Sequence, residues 1–67
     1  MQIAVNGEMK EVKEALLLSE LLPELGITKT AGLALAVNES VVARSQWEQF
    51  ALTQNDKVLI IRATKGG

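Results

Sequence analysis

This 67-residue chain contains neither cysteine nor histidine, so apolar burial alone must hold its fold together. Without these residues, disulfides, zinc sites of the usual kind and Cys–His or Ser–His nucleophile pairs are excluded. The length is close to the minimum for a domain held by one hydrophobic core, and a hydrophobic content of 48% is sufficient to build it. Because only one Trp and one Phe are present, we expect one domain with a mainly aliphatic core.

The charges are nearly balanced and dispersed along the chain. Seven basic and eight acidic residues give a net charge of −1, with no basic stripe or cluster. This distribution argues against nucleic acid or an anionic membrane as the partner. Residues 1–3 lack the features of a signal peptide, and no run approaches the roughly 20 apolar residues of a membrane span. We therefore expect a cytoplasmic protein, too small for a substrate cleft and not an enzyme.

The first twelve residues predict a β-hairpin. Asn6-Gly7 suits a type I′ turn because both residues tolerate positive φ. The segment 2–5 before it alternates loosely, whereas 8–12 has weak strand propensity. We assign the second strand mainly because the turn in front of it demands one.

A leucine pattern predicts the main helix. Four leucines follow the spacing i, i+3, i+4 and i+7, namely Leu18, Leu21, Leu22 and Leu25. Gly26 is a natural C-terminal stop. Pro23 would delete a hydrogen bond deep inside a helix, so we expect this helix to be short, irregular or kinked.

The second half of the chain reads as three strands and one helical turn. We predict strands at 33–37, 41–42 and 57–63, and a helical turn within 43–50. Ser45 is the expected N-cap of that turn, and Trp47 is more typical of a core lid than of a ligand platform. The predicted fold class is α+β, with one mixed sheet of four to five strands and one main helix packed across one face.

The last predicted strand has apolar residues on both faces. Val58 and Ile60 should point to one side, and Leu59 and Ile61 to the other. A single helix covers only one side of a sheet, so Leu59 and Ile61 are candidates for a partner-binding surface. The alternative is that they are scattered apolar residues that the surface tolerates.

The sequence ends in Gly66-Gly67, directly after this apolar strand and a short polar segment. Glycine has no Cβ, so such a tail can enter a narrow channel and present its carboxylate to an enzyme. We interpret residues 1–63 as the domain and 64–67 as a flexible tail. A frayed end without a role is the alternative reading.

Six segments follow one another in a recognisable order and spacing: Asn6-Gly7-Glu8, residues 19–26, Leu35-Ala36-Val37-Asn38, Val41-Val42-Ala43-Arg44-Ser45-Gln46-Trp47, Asn55-Asp56-Lys57-Val58 and Gly66-Gly67. Together they resemble the ThiS family, the ubiquitin-like sulfur carriers of thiamin biosynthesis. Three positions depart from the family pattern: proline is common at Ala43, glycine is common at Asn55, and Lys65 is unexpected. Asn55 is a fair substitute because asparagine tolerates positive φ.

The resemblance implies a β-grasp fold and a covalent role for the C-terminus. A ThiF-like adenylyltransferase would use ATP and magnesium to adenylate Gly67, and a cysteine desulfurase relay would supply the sulfur of a thiocarboxylate. A ThiG-like thiazole synthase would accept that sulfur. Thr64, Lys65 and Gly66 would thread into the partner. The chain itself would bind no cofactor, and it has no Gly-rich phosphate loop.

Three other functions remain open at this point. The small subunit of molybdopterin synthase also delivers sulfur from a terminal diglycine, but those chains often have aromatic residues leading into the tail. A ubiquitin-like modifier would join Gly67 to lysines. A plain interaction module would tolerate truncation of the tail.

Overall fold

The computed structural model describes residues 1–63, so Thr64, Lys65, Gly66 and Gly67 lie outside the described residues. Five strands, one α-helix and one 3₁₀ turn are formed: β1 Gln2–Val5, β2 Glu8–Glu11, α1 Leu18–Glu24, β3 Leu33–Val37, β4 Ser40–Val42, the 3₁₀ turn Arg44–Gln46, and β5 Lys57–Arg62. The strand order is β2-β1-β5-β3-β4. β1 and β5 are parallel and the other neighbours are antiparallel, so the sheet is mixed, as expected.

The first hairpin forms around the predicted turn. Asn6 and Gly7 have φ values of 50° and 86°, the left-handed pair that a type I′ turn requires. This turn places Ile3 opposite Lys10 and Val5 opposite Glu8. All four residues of β2 are exposed, which explains the weak apolar signal of this strand.

Helix α1 is short, as Pro23 led us to expect, and runs for seven residues. At its start the Glu20 side chain accepts a hydrogen bond from the Leu17 N–H at 2.9 Å, which satisfies one of the donors left free at a helix N-terminus. The helix ends at Glu24, and Gly26 follows with φ 77°. Within residues 1–63 no helix is long and apolar enough to cross a membrane.

The predicted N-cap at Ser45 is wrong. The N-cap is Ala43, two residues earlier, in an extended conformation with φ −60° and ψ 143°, and the 3₁₀ turn begins at Arg44. Ser45 therefore lies inside the turn, where its hydroxyl is past the capping position. The turn is also shorter than the predicted 43–50 segment. Trp47 is buried directly after it, which confirms the expected core lid.

The core lies between α1 and the inner face of the sheet. It is aliphatic apart from Trp47, and five large side chains are almost fully buried: Ile3, Leu18, Leu21, Leu35 and Leu52. Asp56 is the buried charged residue among those described, with 8% of its surface exposed. Its carboxylate accepts from the Thr53 N–H at 2.8 Å, the Thr53 hydroxyl at 3.1 Å and Asn38 Nδ2 at 2.9 Å. These hydrogen bonds offset the cost of its burial.

Candidate functional site

The candidate tail follows the central strand of the sheet. β5 is held on one side by β1 and on the other by β3, and its last residue, Arg62, lies opposite Leu33. One residue further, the Ala63 N–H donates to the Gly32 carbonyl at 2.8 Å. Backbone hydrogen bonds therefore hold the chain up to the last described residue before the diglycine segment.

A tight turn of residues 30–33 provides this last contact. The Leu33 N–H donates to the Thr30 carbonyl at 3.1 Å, which closes the turn. Gly32 has φ 77°, a conformation that side-chain-bearing residues rarely adopt. The turn thus aims the Gly32 carbonyl at Ala63, and glycine is the residue that permits this backbone geometry.

The two faces of β5 are arranged as the alternation predicted. Val58 is buried and Ile60 is half-buried against the core, whereas Leu59 and Ile61 are 49% and 47% exposed. In the antiparallel register with β3, Leu59 lies opposite Ala36 and Ile61 opposite Ala34. Because alanine side chains are short, the larger Leu59 and Ile61 side chains extend beyond them on this face.

The exposed apolar surface extends beyond β5. Val41, 75% exposed, lies opposite Ala36 on the edge strand β4, and Met9, 59% exposed, lies opposite Ala4 on β2. Each strand therefore contributes apolar side chains to the outer face. We call this surface the outer patch; its exposed residues are Met9, Ala34, Val41, Leu59 and Ile61, and the partly buried Ala4 and the buried Ala36 lie between them. Sequence reasoning found Leu59 and Ile61 but missed the others, because their place depends on strand pairing.

Two groups among the described residues, the Glu20 carboxyl and the Met1 ammonium, have shifted pKa values. The hydrogen bond from the Leu17 N–H lowers the pKa of the Glu20 carboxyl, and Lys13 adds to this effect. The pKa of the Met1 ammonium is raised, chiefly by its hydrogen bond to Glu11 at 3.2 Å. Because β1 and β5 run parallel, Met1 lies at the end of the sheet where β5 begins, opposite to Ala63. Within residues 1–63 no group of three acidic, His or Cys residues is placed to hold a metal ion.

Comparison with known proteins decides the family. The model of the ThiS family matches residues 3–67. This chain belongs to the ThiS family. It is 34% identical to the Sulfur carrier protein ThiS of Escherichia coli K12 over 67 residues, which is 100% of both chains. The resemblance carried by the sequence segments is thus confirmed.

Solved structures of ThiS proteins have the same fold. The crystal structure of thiamine biosynthesis protein ThiS from Geobacter metallireducens superposes with a TM-score of 0.87, at 26% identity and with 100% of both chains covered. The solution structure of a thiamine biosynthesis protein from the same organism gives 0.77, covering 100% of this chain and 88% of that one. The expected β-grasp fold, a five-stranded mixed sheet with one main helix, is confirmed.

Proposed function

We propose that this chain is a sulfur carrier of thiamin biosynthesis and that its carrying group is the Gly67 carboxylate. The observation that supports this most is the match to the ThiS family, which continues through both terminal glycines. The central strand β5 ends at Arg62, so only five residues follow it in the sequence. In this proposal residues 1–63 are the binding domain and 64–67 are the tail that presents the carrying group.

The proposed chemistry replaces one carboxylate oxygen by sulfur. A carboxylate is a poor electrophile, so one Gly67 oxygen first attacks the α-phosphorus of ATP and pyrophosphate leaves. A sulfur nucleophile from the cysteine desulfurase relay then attacks the acyl carbon, and AMP departs with its oxygen. If the sulfur arrives as a persulfide, a thiol of the relay supplies the two electrons that free the thiocarboxylate. The thiazole synthase receives this sulfur.

The chain contributes presentation and binding to this chemistry. ATP and magnesium are held by the ThiF-like adenylyltransferase, and the carrier is its protein substrate. The carrier has no cysteine, so no thiol of its own can attack the activated acyl carbon. Because the activating enzyme works with ATP and cellular thiols, we place the carrier in the cytoplasm.

The outer patch is the proposed docking surface for the adenylyltransferase. Leu59 and Ile61 lie on the same strand that continues into the tail, eight and six positions before Gly67. An enzyme that binds these side chains also brings the start of the tail to its own surface. Exposed apolar patches of this kind mark protein-binding surfaces more often than chance scatter does.

The experiment is a measurement of intact mass before and after incubation with the adenylyltransferase, ATP, magnesium and a sulfur source. The expected mass change equals the replacement of one oxygen by sulfur, and it should be absent when ATP is omitted. A chain lacking Gly67 is the control and should remain unchanged. No mass change with an enzyme that is active on its own carrier would refute the proposal. Isopeptide conjugates to lysine would instead favour a protein modifier.

A further inference from the structure

The Arg44 side chain contacts the turn of residues 30–33 from the opposite side to β5. Its Nη1 donates to the Thr30 hydroxyl at 3.1 Å and its Nη2 to the Thr30 carbonyl at 2.6 Å. Nη2 also lies 3.4 Å from the Leu33 carbonyl. A guanidinium presents several donors in one rigid plane, so it can hold both ends of the turn at once.

Trp47 fixes the position of this guanidinium. The Arg44 Cζ lies 4.5 Å from the centroid of the Trp47 ring, within the range of a cation–π contact. The ring itself is buried, and its Nε1 donates to the Val42 carbonyl at 3.0 Å. The Arg44 plane is therefore stacked on a rigid support while its donors face Thr30.

The contacts form a continuous path from Arg44 to the base of the tail. The Thr30 carbonyl accepts from Arg44 and from the Leu33 N–H, so the arginine holds the same carbonyl that closes the turn. Two residues further along this turn, the Gly32 carbonyl accepts the Ala63 N–H. Arg44 and Ala63 are thus linked by one hydrogen bond at each end of the segment 30–32, without direct contact.

We propose that Arg44 is a positioning residue for sulfur transfer, which fixes where the tail leaves the domain by holding the turn of residues 30–33. Four residues span at most about 14 Å, so displacing their anchor by a few ångström uses a substantial share of their reach. Reaction rates depend steeply on placement at this scale. The effect on transfer rests on the carrier function proposed above, whereas the link between Arg44 and Ala63 does not.

The test compares Arg44→Met with Lys10→Met. Both changes remove one exposed cation, but Lys10 lies on the edge strand β2. Hydrogen exchange of the Ala63 amide reports the structural link, and we expect Arg44→Met to reduce its protection by about tenfold. In the mass assay, kcat should fall by about tenfold while KM stays within about twofold, because docking is intact and placement is not. Lys10→Met should change neither quantity.

Two further variants separate positioning from general loosening. Arg44→Lys keeps the charge but not the planar fork, so it should recover only part of the Ala63 protection. Gly32→Ala strains the same turn at φ 77°, and its effect should be non-additive with that of Arg44→Met. Full recovery by lysine, or simple additivity, would contradict positioning through the turn.

The outcomes distinguish failure of the inference from failure of the carrier function. Unchanged Ala63 protection in Arg44→Met overturns the positioning role whatever the assay shows. Reduced protection with an unchanged kcat overturns its importance for transfer. If the unaltered chain forms no thiocarboxylate, the carrier function is refuted, and so is the proposed effect of Arg44 on sulfur transfer. The hydrogen-exchange data still test the structural link between Arg44 and Ala63.

Discussion

Asn6 Oδ1 accepts a hydrogen bond from the Ile60 N–H at 2.8 Å, joining the first turn to the last strand across 54 residues. The Asn6 N–H also donates to the Val58 carbonyl at 2.9 Å. β1 has ended at Val5, so the Asn6 side chain supplies an acceptor where the strand no longer does. One residue thus forms the turn and extends the pairing that holds β5.

These two roles can be separated by substitution. Asn6→Gly keeps the positive φ but removes the acceptor, and we expect it to lower the free energy of unfolding by about 1 kcal/mol. Asn6→Ala removes the acceptor and also puts alanine in the left-handed region, which asparagine tolerates better, so it should lower the free energy of unfolding by about 2 kcal/mol. Urea unfolding followed by circular dichroism measures both. Equal stabilities of the glycine variant and the unaltered chain would show that the bond to Ile60 contributes nothing.

Glu20 should make stability depend on pH. Because its pKa is lower in the folded state, its contribution is complete above the ordinary value of 4.5 and is lost as the pH falls through the folded value. Glu20→Gln should reduce this loss while keeping an acceptor for the Leu17 N–H. Glu24→Gln, at the other end of α1, is the control with the same charge change. The measurement is the unfolding midpoint in urea across this acid range; identical curves for Glu20→Gln and the unaltered chain would contradict the assignment.

Leu59→Asp should weaken binding of the adenylyltransferase and leave the domain folded. Fewer than about 30% of interface residues cost more than about 1 kcal/mol when truncated; we expect Leu59, here replaced by a charge, to be one of them and Kd to rise by about tenfold. The unfolding free energy should fall by no more than about 1 kcal/mol, since Leu59 is half exposed. Val58→Asp is the matched control on the inner face and should unfold the domain. Calorimetric titration and circular dichroism test the pair, and unfolding of Leu59→Asp would place that residue in the core.

Asp56 should be the most sensitive polar position among the described residues. Asp56→Ala leaves the Thr53 N–H and Asn38 Nδ2 without their acceptor, and we expect a loss of about 3 kcal/mol of unfolding free energy. Asp56→Asn keeps an acceptor oxygen and should cost less. Gln54→Ala, in the same turn but exposed, is the control. Equal losses for the alanine and asparagine variants would show that the charge, and not the hydrogen bonds, stabilises this turn.

Local signals in the sequence predicted most elements. Asn6-Gly7 has the predicted left-handed φ values, and Asn55 takes φ 70°, as its role in place of glycine requires. The leucine spacing predicted the position of α1, and Pro23 predicted that this helix would be short. These features depend on neighbours in the chain, which is why propensity and periodicity reveal them.

The remaining features depend on residues far apart in sequence. Val41 and Met9 join Leu59 on the outer patch only through the register of four strand pairs. The contact between Arg44 and Thr30 depends on where the 3₁₀ turn packs, and Ser45 was misplaced for the same reason. Ala15, in the connection between β2 and α1, has φ 58°, and no local signal in the sequence predicts it.

The burial of Trp47 also gives this protein an optical reporter of its own. The chain contains one Trp and no Tyr, so its near-ultraviolet emission comes from a single indole in the core. That indole lies beneath Arg44, the residue linked to the base of the tail. Its fluorescence should therefore follow global unfolding and, in the folded state, any movement of Arg44 when an enzyme engages the tail, without an added dye or label.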